Sequence, residues 1–79
     1  MRAKVHVFLK PGVLDVQGKA IEGALHGLGF SDAANVRVGK TIEVDVRGED
    51  AAAAKAEATR MAEQLLANTV IESYRVEVG

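Results

Sequence analysis

The chain has 79 residues, with 10 Lys and Arg against 11 Asp and Glu, a net charge of −1, and no cysteine. That balance offers no cationic excess for a phosphate backbone or an anionic membrane surface, so nucleic-acid and membrane partners are set aside. The lack of cysteine argues against a disulfide-stapled secreted domain, and no apolar run reaches the roughly 18 residues of a membrane span, so the cytoplasm is the expected location. Apolar residues make up 48% of the chain, too many for a disordered composition. Of these, 13 are alanine and only six are leucine, so the bulk available to a core is small. A domain of this length buries only about 60% of its unfolded surface. Residues 1–79 are therefore expected to form one domain, and association is expected to stabilise it.

From Ala3 to Lys10 the residues alternate. Ala3, Val5, Val7 and Leu9 share one face, and Lys4, His6, Phe8 and Lys10 share the other. A period of two rich in β-branched residues predicts a half-buried strand. Pro11-Gly12 ends it. Asp15 is placed to cap a helix running to about Leu28, in which Ile21, Ala24, Leu25 and Leu28 form one apolar stripe. Gly29 suits the left-handed position that closes many helices. Val36 to Val46 reads as a hairpin with Gly39-Lys40 at a type II′ turn. Asp50 can cap a second helix from Ala51 to about Ala67, whose buried stripe is Ala54, Ala58, Met61, Ala62, Leu65 and Leu66. Asn68 is a candidate left-handed cap at its end. Val70 to Val78 reads as a last strand.

The predicted order is β-α-β-β-α-β. Its simplest packing is an α+β two-layer sandwich, ferredoxin-like, with a four-stranded antiparallel sheet and both helices on one face. That layout hosts many unrelated functions, so function must come from the side chains.

Few side chains suggest catalysis. His6 and His26 have no cysteine or carboxylate at ligand spacing, which leaves no metal-site pattern. Ser31 and Ser73 lie in no nucleophile motif. Gly39-Lys40-Thr41 resembles the end of a phosphate loop, but the upstream glycine is missing and a strand follows. An RNA-recognition sheet would need two or three aromatics on its open face, and Phe8 stands there alone. On residues alone, the chain reads as an α+β domain that associates with something.

Four stretches carry more. They are Val7 to Asp15 (V-F-L-K-P-G-V-L-D), Gln17 to Ile21 (Q-G-K-A-I), Val36 to Lys40 (V-R-V-G-K), and L-L-A-N at Leu65 to Asn68 running to I-E-S-Y at Ile71 to Tyr74. In this order and at this length they resemble the PurS family, the small subunits of phosphoribosylformylglycinamidine synthase. Val16 and Thr69 stand where the family commonly has proline, and both fall at element boundaries. The resemblance implies a non-catalytic subunit of a purine-biosynthetic complex that uses ATP, magnesium and glutamine. It also implies that the chain binds no cofactor itself, and that it bridges a glutaminase subunit and a large synthetase subunit, aiding ammonia transfer. A homo-dimer or higher oligomer is expected. Within the matched motifs, Lys10, Gly12, Asp15, Arg37, Gly39, Lys40, Asn68 and Glu72 lie at turns and strand ends, and they are the candidate interface. The alternative of another class is a small-molecule-binding regulatory domain of the ACT type, with its ligand at the loop Pro11 to Asp15.

Overall fold

Alternation along the first strand produces a central strand with one dry face. In the computed structural model, which describes residues 1–79, β1 (Arg2–Leu9) pairs antiparallel with β2 (Gly39–Asp45) on one side and with β3 (Glu72–Val78) on the other. The sheet order is β2-β1-β3. Between the strands lie α1 (Val16–Gly27) and α2 (Ala51–Met61), and α2 continues into a π-helical segment, Ala62–Leu66.

Ala3, Val5 and Val7 of β1 are buried under Ala54, Ala58 and Ala62, which recur every four residues along α2 and its extension. Alanine at each contact lets the helix axis approach the sheet closely. Val5 and Val7 are the bulkiest fully buried side chains, and each contributes about 2 kcal/mol by leaving water. Ile42 and Val44 of β2, and Tyr74, Val76 and Val78 of β3, pack at the margins of this core. The opposite sheet face is polar. Arg2 reaches Asp45 at 3.1 Å and Glu43 at 3.7 Å across the β1–β2 pair. The His6 ring lies 2.9 Å from Thr41 Oγ1 through Nδ1 and 3.2 Å from Glu77 Oε2 through Nε2.

The predicted fourth strand does not form. Val36 and Val38 alternate as a strand should, but their N–H groups donate to side chains: Val36 to Glu22 at 3.3 Å and Val38 to Asp15 at 2.7 Å. Gly39-Lys40 is accordingly not a hairpin turn; it opens β2, with Gly39 opposite Phe8 and Lys40 opposite Val7. The second helix on the sheet is missing as well. α1 stands clear of the sheet, and Gly18 is its only buried residue. The dimensions are 50 × 25 × 14 Å, and the radius of gyration is 15.8 Å, where a compact chain of this length would have about 12 Å.

Helix ends follow the predicted chemistry. Asp15 accepts from Gly18 N–H at 2.7 Å, Asp50 accepts from Ala53 N–H at 2.8 Å, and Gly29 takes φ +99°. Asn68 is not left-handed; its side chain accepts from Val70 N–H at 3.2 Å, and its carbonyl accepts from Glu72 N–H at 2.7 Å in the turn before β3. The π-helical segment, closed by Ala67 N–H to Ala62 O at 2.9 Å, spans one residue more in each hydrogen-bonded ring than an α-helix. That rotates Leu65 out of the expected buried stripe, leaving it 83% exposed.

Candidate functional site

β1 ends, and β2 and β3 begin, at the same end of the sheet, because both neighbours are antiparallel to β1. This topology gathers most of the candidate residues. Lys10 Nζ donates to Thr69 O at 2.9 Å, and Arg37 donates to Lys10 O at 3.0 Å. Asn68 N–H donates to the Glu72 carboxylate at 2.7 Å. Lys40 is the second residue of β2 and is exposed. Gly12 lies in the exposed loop with open space around it, so neither close approach nor positive φ requires glycine there.

Asp15 is the keystone of this end and the one buried charged residue of the chain. One carboxylate oxygen caps α1, and the other binds Val38 N–H in the returning segment. The bond from Val38, then that from Gly18, and the nearby Arg37 guanidinium hold the Asp15 carboxyl below its ordinary value, against the opposing effect of burial. A carboxylate so occupied is a structural anion and not a proton shuttle. It also divides two clefts. One, of about 470 Å³, is lined by Phe8, Pro11, Leu14, Lys19 and Arg37 among others, and the second, of about 410 Å³, by Gln17, Gly39, Lys40 and Glu72 among others.

Three residues outside the candidate list shape this end. A Cβ on Gly18 would lie 2.4 Å from Val36 O, so glycine is what lets α1 and the returning segment touch. A glycine in the first turn of a helix costs about 1 kcal/mol relative to alanine, and that cost was the readable signal. Glu22 holds Val36 N–H, and His26 contacts Ala33 O at 2.6 Å. Residues 14–38, which include α1, thus form one tied unit, an arm. The arm exposes Leu14, Val16, Ile21, Leu28 and Phe30, half of the ten large apolar side chains that are exposed in the chain. No three His, Asp or Glu side chains come close enough together to hold a metal ion.

The family model for PurS, described as phosphoribosylformylglycinamidine (FGAM) synthase, matches residues 2–79. The chain belongs to the PurS family. It is 44% identical over 77 residues to the phosphoribosylformylglycinamidine synthase subunit PurS of Bacillus subtilis, covering 98% of this chain and 90% of that one. The PurS subunit of Synechocystis sp. is 43% identical over 75 residues, covering 95% of this chain and 75% of that one. Among solved structures, PurS of Methanocaldococcus jannaschii superposes with a TM-score of 0.88 at 37% identity, covering 99% of this chain and 94% of the other. That protein is described as one of the subunits of formylglycinamide ribonucleotide amidotransferase in the purine biosynthetic pathway. PurS of B. subtilis superposes with a TM-score of 0.84 at 42% identity over 99% of this chain and 96% of that one. PurS membership replaces the ACT-type alternative.

Proposed function

We propose that this chain is the small subunit of phosphoribosylformylglycinamidine synthase in purine biosynthesis. It bridges the glutaminase and large synthetase subunits and carries no reaction itself. The full-length match to the PurS family carries this reading. The site is compatible with it, because Lys10, Asp15, Arg37 and Glu72 at the turn end are engaged as structural partners. ATP and magnesium serve the complex and are not held by this chain. The working location is the cytoplasm, and no helix here is long and apolar enough to cross a membrane. The turn end, with Lys10, Gly12, Asp15, Arg37, Gly39, Lys40, Asn68 and Glu72, is the face offered to the other subunits and lies where ammonia transfer would be aided. The chain acts as a homo-dimer or larger, because an uncovered arm on a thin core is costly in water.

The test is reconstitution of glutamine-dependent activity from the three subunits. Lys40→Glu should weaken assembly, since a like-charge contact at an interface is costly, while leaving the fold intact. Arg60→Glu, on the outer face of α2 and paired only with Glu57, should leave assembly unchanged. Assembly that survives Lys40→Glu but fails with Arg60→Glu would move the contact face to α2.

A further inference from the structure

The larger of the two clefts beside Asp15 brings three kinds of chemistry together. Phe8, Pro11 and Leu14 give it an apolar wall. Phe8 lies on the open sheet face and is 45% exposed. Its partners across the sheet are small: Gly39 on β2 has no side chain, and Ser73 on β3 has a short one. The cleft also holds two exposed cations, Lys19 of α1 and Arg37 of the returning segment. Arg37 is fixed by donating to Lys10 O at 3.0 Å through one terminal nitrogen, and its Nε lies 4.0 Å from Asp15. Other N–H groups of its five-donor fork are left for a ligand. The acids of the cleft are largely spent within the chain. Both Asp15 oxygens accept backbone N–H groups, and one Glu22 oxygen accepts from Val36 N–H at 3.3 Å. The second Glu22 oxygen and the exposed Asn35 amide complete the polar lining.

We infer that this cleft binds a ribonucleoside monophosphate. Its volume of about 470 Å³ falls in the range of small-molecule sites, which are mostly apolar with a few convergent polar groups. Phe8 supplies a ring for a planar base, and base–aromatic stacking tolerates any base. Lys19 and Arg37 supply charge-assisted donors for the phosphate. The second Glu22 oxygen and the Asn35 amide suit ribose hydroxyls, since a carboxylate accepts and an amide both donates and accepts. A sugar phosphate would leave Phe8 unused, and a nucleoside would leave the cations unused. An acidic peptide would pair with the cations but offer no planar partner to Phe8. One aromatic is too few for an RNA strand, which stacks on two or three, but a single nucleotide needs only one. The occupant touches β1 through Phe8 and α1 through Lys19, so it ties the arm to the sheet once more and stabilises that arrangement by linkage. The site adds a small-molecule ligand to the bridging role proposed above and does not rest on it.

NMR titration of the 79-residue chain with adenosine 5′-monophosphate tests this, beside adenosine, ribose 5-phosphate, inorganic phosphate and a glutamate-rich peptide. The monophosphate should give saturable shifts at Phe8, Lys19, Asn35 and Arg37 and slow amide exchange along the arm. Adenosine and ribose 5-phosphate should each bind at least ten-fold more weakly. Phe8→Leu keeps apolar bulk and removes the planar face; it should weaken the monophosphate about ten-fold and leave ribose 5-phosphate unchanged. Lys19→Gln, at an exposed helix position, should weaken the monophosphate about ten-fold and leave adenosine unchanged. Circular dichroism checks the fold of each variant, and Lys19→Gln decides alone if Phe8→Leu does not fold. No saturable shift with the monophosphate would overturn the inference, and so would equal affinity for inorganic phosphate, which would mean a site for any anion. Saturable shifts at the same residues with the peptide and none with the monophosphate would assign the cleft to an acidic partner segment and overturn it as well. Unchanged monophosphate affinity in either folded variant would do the same.

Discussion

The sheet with α2 and the arm built on α1 answer the same problem in opposite ways. Both helices are amphipathic, and both begin on an aspartate that caps the first turn. α2 covers its alanine row with Ala3, Val5 and Val7 and holds its place by burial. The arm buries only Gly18 and Asp15 and is held by polar ties: Asp15 to two N–H groups, Glu22 to one, and His26 to the Ala33 carbonyl. One half is ordered by apolar contact and the other by directional hydrogen bonds that leave its apolar stripe free. Order and burial are therefore separable within 79 residues. A segment can be shaped by its own chain and still leave its apolar side chains exposed.

The contrast breaks most sharply in the core. Val5→Ala removes two methyl groups at a fully buried position, and the loss of burial plus the cavity should cost roughly 2–3 kcal/mol. Ile21→Ala on the arm should cost far less at high dilution, and its effect should grow with protein concentration as docking becomes populated. Urea denaturation at two protein concentrations checks both statements. Next in size is Gly18→Ala. The new Cβ would meet Val36 O at 2.4 Å, and overpacking of this kind typically costs about 1–3 kcal/mol. Amide exchange should quicken over residues 16–38 while β1 and β3 stay protected.

Acid sharpens the same boundary. The Asp15 carboxyl is held below its ordinary value in the folded chain, so its stabilising effect is complete above the unfolded value of about 4. It fades as the pH falls through the lower folded value. Glu77, held down chiefly by its hydrogen bond to His6, acts in the same direction on the sheet half. Amide exchange at Gly18 and Val38 should accelerate below about pH 4, and Asp15→Asn should make it fast at neutral pH and remove most of that pH dependence. The smallest effect is expected at Arg60→Ala, where an exposed pair with Glu57 is lost and thermal stability should move by no more than about 0.5 kcal/mol.

Period and capping made the strands around Val5 and Val76, and both helices, legible before any coordinates. Where the expectation failed, the cause was pairing. Val36 and Val38 alternate like a strand, but alternation does not say whether an N–H meets a neighbouring strand or a carboxylate fourteen residues back, as Val36 does with Glu22. The stripe on α1 was expected on the sheet, yet Ile21 and Leu28 are exposed; a stripe cannot say what it packs against. Leu65 was misplaced because a single π-helical turn resets the helical phase, and no residue type signals that reset. At the candidate site, Lys10, Arg37 and Asn68 were recognisable as turn-end groups from their motifs. Their partners were not, since Thr69 O and Lys10 O are backbone atoms that every sequence possesses.

The pairing of β1 has a consequence for the order in which this protein is made. Its central strand is synthesised first, while one of its two partners, β3, comes last, with Ala3 opposite Val78. The edge of β1 that pairs with β3 therefore waits, unpaired, until β3 is made. Pairings so distant in sequence close slowly, because the loop entropy is lost before the contacts form. During that interval β1 has one open edge in reach of other nascent copies. Folding yield should therefore depend on how quickly the last strand arrives, and slowing translation ahead of β3 should raise aggregation.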